Sequence, residues 1–190
     1  WVKNSDNFLN DELDANNLYP EFVDIDADSD FDLFVGEFNG VIHYFENIGN
    51  SYNVDMSYMG TIEDIDLSGY SAPEFVDLDN DDDYDLLLGN SLGKVSYYEN
   101  VGDKYGYEFN LITNDFQSID VEERSTILSL NIDGDNDYDF FIGSGKNNVL
   151  YYKNIGDENN PILELNDDFG FPNIGYNVSL DYLNDLDFKG

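Results

Sequence analysis

Three stretches of this chain repeat one another over about thirty residues, and that repeat limits the fold more than any other feature. The first starts at Pro20 (PEFVDIDADSDFDLFVGEFNGVIHYFENIGN), the second at Pro73 (PEFVDLDNDDDYDLLLGNSLGKVSYYENVGD) and the third at Thr126 (TILSLNIDGDNDYDFFIGSGKNNVLYYKNIGD). Their aspartate-rich loops begin at Asp24, Asp77 and Asn131, giving offsets of 53 and 54 residues. A fixed period of this length marks an architecture in which one small unit cannot bury its apolar face alone and stacks on the next.

Each unit reads as short strands. Glu21–Val23 and Glu74–Val76 are extended runs before the loop. Leu33–Val35, Leu86–Leu88 and Phe140–Ile142 are apolar triplets after it, suited to strands buried on both faces. Gly36, Gly89 and Gly143 then read as turn residues. Val41–Glu46, Val95–Glu99 and Val149–Lys153 are rich in Tyr, Phe and Val, as strands are, and close on Asn-x-Gly (Asn47, Asn100, Asn154). A fourth strand is expected within Ser51–Gly60, Tyr107–Thr113 and Pro161–Leu165. Helical periodicity is almost absent. Four strands every fifty-odd residues is the content of a propeller blade, whereas β-solenoid repeats are usually shorter. The expected fold is therefore all-β, a partial β-propeller of about three complete four-stranded blades with fragments at each end. The division is residues 1–19 as the end of a preceding blade, 20–72, 73–125 and 126–175 as blades, and 176–190 as the start of a degenerate further one. Trp1–Asn4 matches Tyr44–Asn47, and residues 181–189 resemble the start of a fourth loop, so the chain reads as a segment of a longer array.

The loops carry the chemistry. They read Asp24, Asp26, Asp28, Asp30, Asp32 in the first unit; Asp77, Asp79, Asp81, Asp83, Asp85 in the second; and Asn131, Asp133, Asp135, Asp137, Asp139 in the third. Side-chain oxygens occupy positions 1, 3, 5, 7 and 9. Two carboxylates about 4 Å apart repel by about 1 kcal/mol in water and by several at an effective dielectric of 20, so a bare loop is costly. A divalent cation reverses the sign, and Ca²⁺ takes six to eight oxygens while Mg²⁺ demands stricter geometry and retains water. An EF-hand is excluded: position 12 is Val35, Leu88 or Ile142 rather than Glu, and strands flank the loop.

The loop followed by an apolar triplet and glycine resembles the FG-GAP or VCBS repeat, the blade unit of integrin α-subunit propellers and of many secreted bacterial proteins. The resemblance covers residues 20–157 in full. It implies one structural Ca²⁺ per complete loop, about three in all. The implied ligands are Asp24, Asp26, Asp28 and Asp32; Asp77, Asp79, Asp81 and Asp85; and Asn131, Asp133, Asp135 and Asp139. Position 7 (Asp30, Asp83, Asp137) would contribute its backbone carbonyl. Position 6, Gly in that family, is Ser29, Asp82 and Asn136 here, so slight strain is expected in the first loop if φ is positive there. Asn131 brings less charge and implies weaker binding in the third loop. The fourth, with Leu183 and Lys189 at ligand positions, is expected to hold no metal.

Composition narrows the function classes. A formal net charge of −35, with 42 Asp and Glu against 7 Lys and Arg, argues against nucleic-acid partners and against anionic membrane surfaces. Bound cations would relieve the self-repulsion; adaptation to high salt is another source of such acidity. No cysteine is present, so disulfides and thiolate sites are impossible. No apolar stretch is long enough for a membrane helix. There is no Gly-x-Ser-x-Gly elbow and no phosphate-cradling glycine loop, and the single histidine, His43, reads as a surface or packing residue. The expectation is an extracellular calcium-binding module for adhesion or for binding a protein or glycan ligand, with no catalytic group in this segment. Alternatives are an architectural segment of a large surface protein or filament, or part of a polysaccharide-active propeller enzyme.

Overall fold

The computed structural model describes residues 17–166, apart from 64, 66, 68 and 147. The chain matches expected for Trp1–Asn4 and for 181–189 lie outside them. Twelve strands form three four-stranded antiparallel sheets, each running through its strands in chain order. The first holds β1 (Tyr19–Val23), β2 (Asp32–Gly36), β3 (Ile42–Asn47) and β4 (Met56–Thr61). The second holds β5 (Ser71–Val76), β6 (Asp85–Asn90), β7 (Val95–Asn100) and β8 (Phe109–Thr113). The third holds β9 (Ser125–Leu130), β10 (Asp139–Ser144), β11 (Val149–Asn154) and β12 (Leu163–Leu165). The protein is thus all-β among the described residues, with one short 3₁₀ turn at Phe116–Ser118.

The apolar triplets form the second strand of each sheet and are buried throughout, because both faces meet a neighbour. Strand β5 lies against β1 and β2, and β9 lies against β5 and β6, so the first strands of successive sheets adjoin. Phe34, Tyr44, Ile42 and Val23 of the first sheet pack on Phe75, Leu86, Leu88 and Tyr98 of the second. Phe34 stacks on Tyr44 at 4.6 Å and meets Phe75 at 4.5 Å between ring centres. The equivalent layer between the second and third sheets contains Val76, Leu87, Val95, Phe140 and Ile142, closed by Phe116, Ile119 and Val121 from the connecting segment. Each such side chain contributes about 1.5–3 kcal/mol when removed from water, so the two interfaces are what join the sheets.

One expectation about local structure changes. Gly36, Gly89 and Gly143 are strand residues, not turn residues. A Cβ on Gly36 would lie 2.3 Å from the Ser71 carbonyl oxygen, and one on Gly89 would lie 2.1 Å from that of Ser125. Glycine is needed there because the next sheet's first strand passes within backbone contact. The fourth strand of each sheet occupies the later part of its expected stretch. Residues 51–55 belong to a tight turn, bridged between Asn50 and Asn53, and β4 begins only at Met56. The same turn recurs between Asp103 and Gly106 and between Asp157 and Asn160.

Candidate metal centre

The three aspartate loops connect the first and second strands of each sheet, and the Asn-x-Gly turns lie beside them at the same end. Position 9 couples the two. The Asp32, Asp85 and Asp139 side chains are buried, and Oδ1 of each accepts the backbone N–H of Asn47, Asn100 or Asn154 at 2.8 Å. Those asparagines use their own Oδ1 to accept two N–H groups of the following turn: Gly49 and Asp55, Gly102 and Glu108, Gly156 and Ile162. Aspartate and asparagine therefore act as one brace between loop and turn.

Loops 1 and 2 share one geometry. The position-1 carboxylate caps the loop from inside. Asp24 accepts the N–H of Asp28 on Oδ1 and of Ser29 on Oδ2, and Asp77 accepts those of Asp81 and Asp82 in the same way. Positions 4 and 6 are left-handed, at φ 56° and 78° for Ala27 and Ser29 and at 61° and 73° for Asn80 and Asp82. The strain expected at Ser29 is present, and Ala27 adds a position the sequence reading missed. The result gathers Asp24, Asp26 and Asp28, and separately Asp77, Asp79 and Asp81, with one ligand atom from each within 4.8 Å of the others. That span is about twice a Ca–O distance of 2.3–2.6 Å, so one ion can touch all three carboxylates of a triad.

Positions 7 and 9 differ from the implied ligand set. Asp30, Asp83 and Asp137 bury their carboxyl groups, not just their backbone carbonyls, and Oδ1 of each has no hydrogen-bond partner among the described residues. Burial, then the Asp28 charge, raises the Asp30 carboxyl above its ordinary range. Burial, then the neighbouring Asp81 or Asp135, pushes Asp83 and Asp137 up to about 6. At position 9, Asp32 leaves Oδ2 unpartnered, whereas Asp85 Oδ2 accepts the Leu78 N–H and the Tyr97 hydroxyl, and Asp139 Oδ2 accepts the Tyr151 hydroxyl. Burial pushes Asp32 up to about 6 and Asp85 to about 7. Buried oxygens without donors, next to converging carboxylates, are electron-rich positions that a hard divalent cation satisfies. On that ground Asp24, Asp26, Asp28 and Asp30 of loop 1, and Asp77, Asp79, Asp81 and Asp83 of loop 2, form donor sets that would suit a hard divalent cation such as Ca²⁺.

Loop 3 is built differently. Asn131 Oδ1 accepts the N–H of Gly134 at 2.7 Å, which closes the loop one residue earlier than in loops 1 and 2. The Lys153 ammonium donates to Asp133 Oδ2 and holds that carboxyl below the usual range, and Asp133 in turn raises Lys153. Sequence reasoning treated Lys153 only as a strand residue. The signal was available in the alignment, where its counterparts are Glu46 and Glu99.

His43 is also not a free surface residue. Its Nδ1 lies 3.0 Å from the Tyr58 hydroxyl, and its buried Nε2 lies 3.9 Å from Glu37 Oε1. Burial lowers its pKa. With Nε2 closed to solvent, the ring serves packing between β3 and β4. A cavity of about 490 Å³ adjoins loop 1, lined by Phe22, Asp24, Asp30, Phe31, Val54 and Met56 among others. The chain matches no protein-family model, no curated protein and no solved structure.

Proposed function

We propose that this chain is a run of blades from a calcium-braced β-propeller of the FG-GAP/VCBS type, serving outside the cell as a module that binds a protein or glycan ligand. The observation that carries the metal assignment is the pairing, twice over, of a carboxylate triad with a buried aspartate oxygen that has no donor. The ion would be structural. It would neutralise the loop and tie the first and second strands to the Asn-x-Gly turn through Asp32–Asn47 and Asp85–Asn100. The blade reading is supported by two equivalent intersheet layers and by the adjacency of β1, β5 and β9, as strands around an axis would lie. An extracellular setting belongs to the same reading, since calcium is abundant there and would keep the loops filled. Ligand contact is supported by Tyr52 and Tyr105, which occupy the same position on successive turn tips and are 93% and 67% exposed; such rings can stack on sugars or pack on a protein.

Calcium titration followed by thermal melting tests the metal. A site at thousandfold excess over its dissociation constant contributes about 4 kcal/mol. At roughly 2–4 °C per kcal/mol for a chain of this size, the melting temperature should rise by more than ten degrees with Ca²⁺ and little with Mg²⁺. Melting unchanged by chelation overturns the metal assignment. For the ligand, Tyr52→Ala with Tyr105→Ala should reduce capture on a glycan array or by a partner protein without changing the calcium response.

A further inference from the structure

We propose that loop 3 carries its own cation, the Lys153 ammonium, in place of the metal held by loops 1 and 2, so that the chain binds two Ca²⁺ tightly rather than three. This rests on the calcium reading of the first two loops. Two differences converge on it, with one consequence. The residue before the brace asparagine is Glu46 in the first unit and Glu99 in the second, where Glu99 adds its charge to the repulsion on Asp79 at position 3. In the third unit the same place holds Lys153, whose Nζ binds Asp133, again position 3, and also feels Asp135 and Asp139 at positions 5 and 9. The ammonium thus pairs with one of the carboxylates that the resemblance assigns to calcium.

The second difference is Asn131. An amide has one acceptor oxygen where Asp24 and Asp77 have two, and that oxygen is turned to the Gly134 N–H. Asp24 and Asp77 instead take the N–H groups of positions 5 and 6, which wraps the loop around its centre. The consequence is that, with no carboxylate at position 1, Asp133 and Asp135 form no compact triad with a third acidic residue among those described. A metal entering loop 3 must expel a like-charged group already paired there, and must do so with four carboxylates where loop 1 and Glu46 together present six. Loop 3 then stays folded with or without calcium, while loops 1 and 2 depend on it.

The test counts bound calcium on the full chain by native mass spectrometry and calorimetry, in the parent protein and in Asn131→Asp/Lys153→Glu, which restores the residues of loops 1 and 2. The expected result is two tight sites in the parent, with any third at least tenfold weaker, and three comparable sites in the double variant. Three equal sites in the parent, or two in the double variant, overturn the lysine assignment while leaving the calcium reading intact. No site in either protein overturns the calcium reading itself. A second readout keeps the ion pair testable if the double variant folds poorly. Lys153→Met in chelator should lower the melting temperature, and calcium should restore part of the loss; no change on substitution overturns the proposal.

Discussion

Loops 1 and 3 occupy equivalent places in their sheets, share the braces at position 9 and each bury a position-7 oxygen without a donor, yet loop 1 gathers carboxylates alone whereas loop 3 pairs one of its carboxylates with an ammonium. In loop 1, Ile25 is anchored in an intersheet layer, Asp24 caps two N–H groups and Asp30 and Asp32 each leave a buried oxygen without a donor. In loop 3, Asn131 caps a single N–H and Lys153 answers Asp133, while Asp137 keeps a buried oxygen without a donor as Asp30 does. The comparison teaches that the same aspartate spacing can leave carboxylates gathered without a countercharge or pair one of them with a lysine on the neighbouring strand.

The largest expected effect separates the loops by metal count. Asp26→Ala or Asp79→Ala should each remove one bound calcium, and with it most of the roughly 4 kcal/mol that a site contributes at thousandfold excess. Asp133→Ala should leave the count unchanged. Loss of a metal on Asp133→Ala would erase the distinction.

Next comes the brace that all three loops share. Asp85→Ala strands the N–H groups of Asn100 and Leu78 in a buried position. It should cost about 3 kcal/mol or more by denaturant unfolding, even in chelator. A cost seen only with calcium present would mean that position 9 acts as a ligand and not as a brace.

The pH response of the chelated protein is smaller and has a definite sign. Burial raises Asp32, Asp83 and Asp137 to about 6 and Asp85 to about 7, above the ordinary carboxylate value. The folded state then binds more protons than the unfolded one between about pH 4 and 7. Without metal, this contribution to stability is present below pH 4 and is lost as pH rises through 6 to 7. Saturating calcium should reverse the trend, because the ion favours the ionised carboxylates. Melting curves in chelator and in calcium across this range check both signs.

The smallest effect lies at position 4, left-handed in loops 1 and 2 and glycine in loop 3. Ala27→Gly should stabilise by about 1 kcal/mol and Gly134→Ala, at φ 83°, should destabilise by a similar amount. Equal responses to both would mean that the left-handed turn is not held in one of the loops.

The sequence alone determined the sheets and the place of the chemistry. Apolar triplets, aromatic strands and Asn-x-Gly endings have short-range physical causes, and a repeat reports each cause three times. The alternating aspartates likewise pointed to loops in which carboxylates converge, because alternate side chains of a tight loop face its centre. The triads at Asp24–Asp28 and Asp77–Asp81 are legible for that reason.

Only the tertiary structure decided the rest, since it depends on groups distant in the chain. Gly36 and Gly89 owe their identity to the next sheet's backbone, which no local pattern reveals. The asparagines after the third strand prove to be braces for aspartates fifteen residues away. Whether an aspartate oxygen finds a hydroxyl, as Asp85 does in Tyr97, or an ammonium, as Asp133 does in Lys153, depends on what strand pairing brings across. Spacing along the chain states how many charges a loop holds; only the packed sheets state which of them are answered.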